Sequence, residues 1–350
     1  MYLYTMNSYF FCLLFVLLFV LPAAPARCQN DTLNLYYEAF PEKITSRYYF
    51  SRKYTALEMR DPGTGNRYRF EPNSTLNMGV GATYQNLTLN LAYGFGFLNP
   101  DLGQGDSKYL DLQAHMYPKK FVIDFFGQFY RGYHVDGQES AVYGPNRFVV
   151  LPDMSIRKIG ASVQYLFNGD KLSLRAAFLQ NEWQKKSAAS MLLGFEMYGG
   201  QASNEEGLLH PLLLNQPGGR FEQIRFFEFG PNVGYVGTLV IAKHFFLTGS
   251  VSSNLGVGYL SSLDRGDQIA SWQLNPNLFL RGFAGYNNKT WSVNVNYVLN
   301  QVRLPNTAGL NPALFTGNYR FNLIYRFVPG PRISRHLQWF DRLRESVQKG

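Results

Sequence analysis

The sequence predicts an all-β protein, an antiparallel up-and-down transmembrane β-barrel of fourteen strands, with twelve as the fallback. Three observations predict it. From residue 73 onward, runs of about ten residues alternate between apolar and small or polar side chains, long enough to cross a bilayer as tilted strands. Neighbouring runs can be joined by short turns that keep each face pure. The third observation is compositional: 46% of 350 residues are hydrophobic and 16% aromatic, only 16% are charged, and yet the mean hydropathy is −0.19. One-for-one alternation explains that combination. A helical membrane bundle needs runs of about 20 apolar residues, and none follows residue 21.

Each run carries the pattern. Leu87, Leu89, Leu91, Tyr93, Phe95 and Phe97 alternate with Thr88, Asn90, Ala92, Gly94 and Gly96. Phe245, Leu247, Val251, Leu255, Val257 and Tyr259 oppose Thr248, Ser250, Ser252, Asn254 and Gly256. Trp291–Leu299 and Tyr319–Phe327 repeat the pattern against Ser292, Asn294, Asn296, Arg320, Asn322 and Arg326. A turn at Gln85-Asn86 pairs Tyr84 with Leu87, Val80 with Leu91 and Thr83 with Thr88. Four-residue turns at 117–120, 168–171 and 287–290 pair Met116 with Phe121, Phe167 with Leu172 and Tyr286 with Trp291. A one-residue slip would invert every face, so this agreement specifies a meander.

The expected strands lie at 48–60, 73–84, 87–97, 108–117, 121–133, 156–167, 171–180, 188–198, 221–229, 233–242, 245–259, 271–286, 290–302 and 318–328. An even count requires a break at Gly230-Pro231-Asn232, which leaves 199–220 as a long periplasmic connection. Short breaks alternate with long Gly-, Asp- and Asn-rich ones, as turns on one rim and loops on the other require. A soluble sandwich has shorter strands and a charged outer face. Here aromatic residues crowd strand ends as an interface girdle: Tyr84, Phe97, Tyr117, Phe121, Phe167, Tyr286, Trp291 and Phe327. The opposite faces form the lumen lining: Asn90, Asp111, Gln113, His115, Asp124, Gln128, Gln164, Arg175, Asn254, Asn277, Asn294, Asn296, Asn322 and Arg326.

The ends read differently. Phe10–Leu21 followed by Pro22 and Ala23-Ala24-Pro25-Ala26 fits the apolar region and cleavage edge of a secretory signal over residues 1–28, although no Lys or Arg precedes Phe10. Cleavage after Ala26 or after Cys28 satisfies the small-residue preference. Cys12 and Cys28 both fall in this segment, so the exported chain carries at most one thiol into an oxidising compartment. Residues 29–47 read as a periplasmic lead and 48–328 as the barrel. In the tail, 329–350, Ile333, Leu337, Phe340, Leu343 and Val347 recur at helical spacing among Arg332, Arg335, Arg342 and Arg344. That is a short basic amphipathic helix, suited to a periplasmic partner or the membrane surface, or a frayed terminus. The sequence pI of about 9.3 comes from scattered charge, with no dense basic patch of the kind nucleic acid requires.

No specific catalytic or metal-binding motif occurs, so neither a catalytic residue nor a metal ligand nor a cofactor is assigned. Asp111, Gln113 and His115 share the inward face of one strand, with Asp124 and Gln128 on its partner. An Asp–His pair can do acid–base work, but no Ser or Thr nucleophile shares the row. A structural polar network is the simpler reading.

Several segments together resemble a known family. They are Lys43–Arg47 and Ser51–Tyr54, Pro72–Asn77 with Leu91–Leu98, Tyr109–His115, Phe121–Gly127, Asn181–Lys186, Phe229–Asn232 and His244–Gly249. Over roughly residues 40–328 the chain resembles the bacterial family known as domain of unknown function forty-four twenty-one. The resemblance implies a β-barrel in the outer membrane of Gram-negative bacteria, and no activity, ligand or catalytic residue.

The expected function is therefore a non-enzymatic narrow channel or a structural or binding element of the envelope. The alternatives are a lipid-modifying barrel enzyme using His115 and Asp124, and an assembly subunit docked through residues 329–350. Its expected partners are outer-membrane lipid, the barrel assembly machinery during biogenesis and a periplasmic protein at the tail.

Overall fold

The computed structural model describes residues 33–63, 65–84, 87–136, 148–208, 221–264, 267–307 and 309–333. The expected signal segment, and the tail from residue 334, lie outside the described residues. After one helical turn at Leu33–Tyr36 come β1 (Tyr37–Ala39), β2 (Ile44–Arg60), β3 (Arg67–Glu71), β4 (Asn77–Tyr84), β5 (Leu87–Tyr93), β6 (Lys108–Met116), β7 (Phe121–Asp136) and β8 (Phe148–Leu166). Helix α1 (Leu174–Phe178) and β9 (Glu182–Gln184) follow. The chain then runs through β10 (Ala188–Ser203), β11 (Gln223–Ile241), β12 (Phe245–Asp264), β13 (Asp267–Asn287), β14 (Trp291–Arg303) and β15 (Asn311–Phe327).

Antiparallel pairing of β15 with β2, from Asn311↔Arg60 to Phe327↔Ile44, closes the sheet on itself. Among the described residues the closed ring has ten strands: β2, β3, β7, β8 and β10 to β15. Three further strands of the same sheet among the described residues lie outside it: β4 pairs the lower half of β2, β5 pairs β4, and β6 pairs β7. No helix among the described residues is long and apolar enough to cross a membrane. Their outer faces expose Leu89, Leu91, Ile159, Met191, Leu255, Leu274 and Val295, as a lipid-facing surface does.

The count of fourteen is corrected at two places, and the ring does not number twelve either. Residues 171–180 are not a strand. Ser173 caps α1 through its Oγ, accepting from the Ala176 amide at 3.1 Å, and the segment turns into the barrel. Phe167 therefore does not meet Leu172; β10 pairs β8 directly, Leu192 against Leu166. The second correction is at Pro231, which sits within one continuous strand, β11, opposite Phe195 of β10. The β11–β12 ladder omits Gly230 and Pro231, as a residue without an amide donor requires. With both changes parity is restored: the connection after β10 starts beyond Ser203, at the long-loop rim, not the short-turn one. The first strand starts at Ile44 rather than Tyr48.

Register follows the faces. The Gln85-Asn86 hairpin pairs Tyr84 with Leu87 as expected. The 117–120 hairpin pairs His115 with Asp124, and β13–β14 pairs Tyr286 with Val293. These are slips of two from the expected register, which a period of two allows without exchanging faces. At Arg131–Tyr133 β7 carries a bulge. Gly132 there has φ 88°, and a Cβ on it would overlap the Asp106 carbonyl.

The lumen is filled at three levels. At the long-loop end Leu57, Met59, Phe70, Tyr133, Val135, Leu151, Ile156 and Leu314 form part of one apolar core. A polar layer occupies the middle. At the short-turn end α1 and β9 form a plug: Phe178 lies 4.2 Å from Phe283 and 4.8 Å from Tyr117, ring to ring. The lead joins it, because β1 pairs β9, with Glu38 opposite Trp183. Tyr117, expected in the interface girdle, is 7% exposed and packs inside against this plug.

Candidate functional site

The middle layer is built by inward positions of adjoining strands. His115 on β6 lies opposite Asp124 on β7, Nδ1 to Oδ1 at 2.6 Å. The other oxygen of Asp124 accepts from Arg281 of β13, across the lumen, and the Asp124 side chain has no exposure at all. Arg281 in turn lies 4.0 Å from the Phe279 ring centre. A buried carboxylate with two cationic or donor partners is satisfied. One strand turn away, Asp111 accepts from the Tyr130 hydroxyl at 2.7 Å and pairs Lys53 at 3.4 Å.

A second cluster centres on Lys158 of β8. Its Nζ donates to Asn300 Oδ1 at 2.7 Å and Thr316 Oγ1 at 3.3 Å, and sits 4.8 Å from the Tyr198 ring centre. Glu196 accepts from Asn232 at 3.0 Å and Glu228 from Asn277 at 2.8 Å. Gln164 donates to Asn232 Oδ1 at 3.2 Å. These residues hold one another rather than an open site.

The plug is anchored by cations at the carboxyl end of α1. Arg47 Nη2 donates to the Leu179 carbonyl at 3.0 Å. Arg326 donates to the Gln180 carbonyl and, at 2.6 Å, to that of Asn288. Within the plug Arg175 pairs Glu182 at 3.5 Å, and Ser173 donates to the other Glu182 oxygen. Burial raises the Glu182 carboxyl above its ordinary 4.5, against the lowering effects of Ser173 and Arg175. At the rim, Asp170 is held below its ordinary value by Lys119, 2.7 Å away.

One side of the wall is open. Among the described residues β5 pairs only β4 and β6 only β7, so their facing edges form a seam. Lumen-facing groups beside the seam keep solvent contact: the side chains of His115 and Lys53 are 31% and 22% exposed, whereas Asp124 is 0% exposed. A separate open cleft of about 870 Å³ lies at the long-loop rim, between Lys108, Tyr130, Arg131, Asp153, Arg157 and Glu222 among others.

The sequence-predicted lumen residues fall as follows. Asp111, His115, Asp124, Gln128, Gln164, Asn254, Asn277, Asn294, Asn322 and Arg326 lie within the interior, most of them buried. Gln113 and Asn296 are half-buried, and Asn90 is exposed at the seam. Arg175 is a correction: it belongs to the plug helix, not to a strand face. Of the girdle residues, Phe97, Phe121, Phe167 and Trp291 are exposed, Tyr84, Tyr286 and Phe327 half-buried. Sequence reasoning missed Lys53, Lys158, Glu196, Glu228 and Arg281. The signal was available: a charge in mid-strand of a membrane barrel must face inward. No group of three or more His, Cys, Asp or Glu side chains that could hold a metal occurs among the described residues.

Comparison with solved structures returns membrane barrels. The outer membrane protease OmpT from Escherichia coli is 12% identical with a TM-score of 0.36, covering 83% of this chain and 98% of that one. The translocator domain of the autotransporter NalP from Neisseria meningitidis is 9% identical with a TM-score of 0.35, covering 81% and 88%. The toluene transporter TodX of P. putida is 8% identical with a TM-score of 0.28, covering 83% and 92%. No curated protein sequence matches the chain. A family model does, over residues 29–327, and that is most of the chain: the protein belongs to the family described as Domain of unknown function (DUF4421).

Proposed function

We propose that this chain is a sealed barrel of the bacterial outer membrane with a structural or binding role, rather than an open channel. The observation that carries this reading is the filled lumen: apolar core, polar layer and plug succeed one another along the axis. Asp124, Lys158, Glu196 and Glu228 of the middle layer are held by neighbouring side chains, whereas a conducting pore keeps its charged lining hydrated. Placement in the outer membrane rests on the closed antiparallel wall and its exposed apolar outer face. Single-channel recording on the purified protein tests the reading. No conductance steps are expected, and steady openings would overturn it.

A second reading has one observation in its favour. His115 contacts Asp124 at 2.6 Å and keeps partial exposure at the seam, where a lipid could reach it. On this reading the pair performs acid–base chemistry on a lipid. Replacing His115 by Ala would then change the envelope lipid profile; an unchanged profile removes the enzyme.

A further inference from the structure

The lumen charges do not balance locally. Asp111 is engaged by Lys53, Asp124 by His115 and Arg281, and Glu182 by Arg175. Among the described residues, Glu196 of β10 and Glu228 of β11 accept only from the neutral side chains of Asn232 and Asn277, besides the Tyr198 hydroxyl at Glu196. On the opposite wall β2 and β15 project Arg47, Arg320 and Arg326 inward. Among the described residues, no carboxylate oxygen lies within 4.0 Å of any of the three.

Their donors are not equally used. Arg326 is saturated by the carbonyls of Gln180 and Asn288 and by Asn287 Oδ1 at 2.9 Å. Arg47 is 7% exposed; its Nη2 reaches Thr83 and Leu179, but its buried Nε has no partner. Arg320 lies over the Tyr49 ring at 4.5 Å, and its Nε is likewise buried without a partner. Tyr49, under Arg320, shares the buried inward face of β2 with Arg47 two residues away, which puts both arginines in one patch of the lumen. Two neighbouring guanidiniums with unused donors in a low-dielectric interior call for an anion.

The seam leads to them. Arg47 pairs Gly81 of β4, and Gly81 pairs Asn90 of the edge strand β5. A Cβ on Gly81 would crowd both Asn90 Oδ1 and Arg47 Cγ, so the Asn90 amide and the Arg47 stem meet over this glycine. Asn90 is exposed, and outside it Leu89 and Leu91 present 65% and 63% of their surface to the lipid side.

We propose that Arg47, Arg320 and Asn90 form a binding site for a phosphate-type oxyanion, reached through the β5–β6 seam. The proposal rests on the sealed-barrel reading, because a water-filled pore would hydrate these guanidiniums. Planar guanidinium forks match tetrahedral oxyanions, and the Asn90 amide adds a neutral donor. The phosphate can be the head of an amphiphile whose chain lies in the seam, or free in solution.

Titration of the full-length protein in neutral detergent, with dodecyl phosphate and separately with inorganic phosphate, tests the proposal. One bound equivalent of dodecyl phosphate is expected, weakened at least tenfold in Arg320→Gln and in Arg47→Gln. Arg320→Lys should retain most of it, and Arg131→Gln, at the opposite rim, all of it. Tighter binding of dodecyl phosphate than of phosphate identifies the amphiphile; equal binding supports the site and assigns it to the free ion. Should the Gln variants fail to fold, phenylglyoxal labelling of Arg320 in the unaltered protein gives a second readout, and dodecyl phosphate should slow it. No binding to the unaltered protein, binding unchanged in both Gln variants, or labelling that dodecyl phosphate does not slow overturns the site. A silent bilayer recording beside any of these leaves the sealed barrel standing.

Discussion

Arg326, on the last strand, donates from Nε to the backbone carbonyl of Gln180 at 2.7 Å, and from Nη2 to the same oxygen. Gln180 ends the plug helix with φ 59°, a left-handed conformation that costs about 1 kcal/mol or more in a residue other than glycine. Its side chain is tied as well, accepting from Ser292 at 2.6 Å. One guanidinium thus fixes a strained turn to the strand whose pairing with β2 closes the ring.

Arg326→Ala should release that turn. It leaves the carbonyls of Gln180 and Asn288 and the Asn287 amide without their donor, at roughly 1–3 kcal/mol for each buried group left unpaired. The strand ladder does not depend on this side chain. Limited proteolysis should cut the plug between Leu172 and Lys186 several-fold faster than in the parent. Heat-modifiable mobility on a denaturing gel should persist.

Tyr198 and Gly160 face each other across β10 and β8, and a Cβ on Gly160 would overlap the Tyr198 ring. That ring carries Lys158 over its face, and its hydroxyl accepts from Asn300 at 3.2 Å. Gly160→Val should therefore displace the ring and strip Lys158 of a partner, costing on the order of 3 kcal/mol as a core overpacking with a disturbed buried cation. The urea midpoint of the folded barrel reports it. A Gly282→Val control, where nothing lies within 4 Å of a built Cβ, should shift the midpoint far less.

Most of the wall was legible in the sequence, because the period of two is imposed by the solvent on each side. Lipid selects Leu255 and Leu274 outside, and the confined lumen selects Asn254 and Asn277 inside. Register errors of two at His115 and Tyr286 preserved faces, so alternation could not detect them. The plug was not legible. Leu172, Leu174, Ala176 and Phe178 alternate with Ser173, Arg175 and Ala177, and the same letters suit a strand or a short helix buried on all sides. Tyr117 was misplaced for the same reason: an aromatic at a strand end suits a girdle or the seat of a plug. The middle layer was half legible, since His115 and Asp124 shared a face, whereas Arg281 joins them only through closure of the ring.

Plug docking should depend on pH through Glu182. Burial raises its carboxyl above the ordinary 4.5, so the folded plug binds the proton more tightly than the unfolded segment does. The resulting contribution is fully present below 4.5 and is lost as pH rises through the raised value. Protease cleavage within 172–186 should accelerate over that window. Glu182→Gln should flatten the profile, and a profile unchanged by it assigns the dependence elsewhere.

The His115–Asp124–Arg281 chain separates a structural role from a chemical one by the asymmetry of its ends. Asp124→Asn removes the charge facing the buried Arg281, and breaking a buried pair on one side costs roughly 3–5 kcal/mol. His115→Ala removes a donor whose side chain is 31% exposed, so water replaces part of what is lost, and about 1 kcal/mol is expected. Arg281→Met in the Asp124→Asn background removes the stranded cation and should recover much of the loss, since an apolar replacement of a buried pair is often near neutral. Urea midpoints of the parent, Asp124→Asn, Arg281→Met and the double variant close the cycle, with His115→Ala measured beside them. A His115→Ala loss as large as that of Asp124→Asn would mean that the histidine, not the arginine, holds this carboxylate in place.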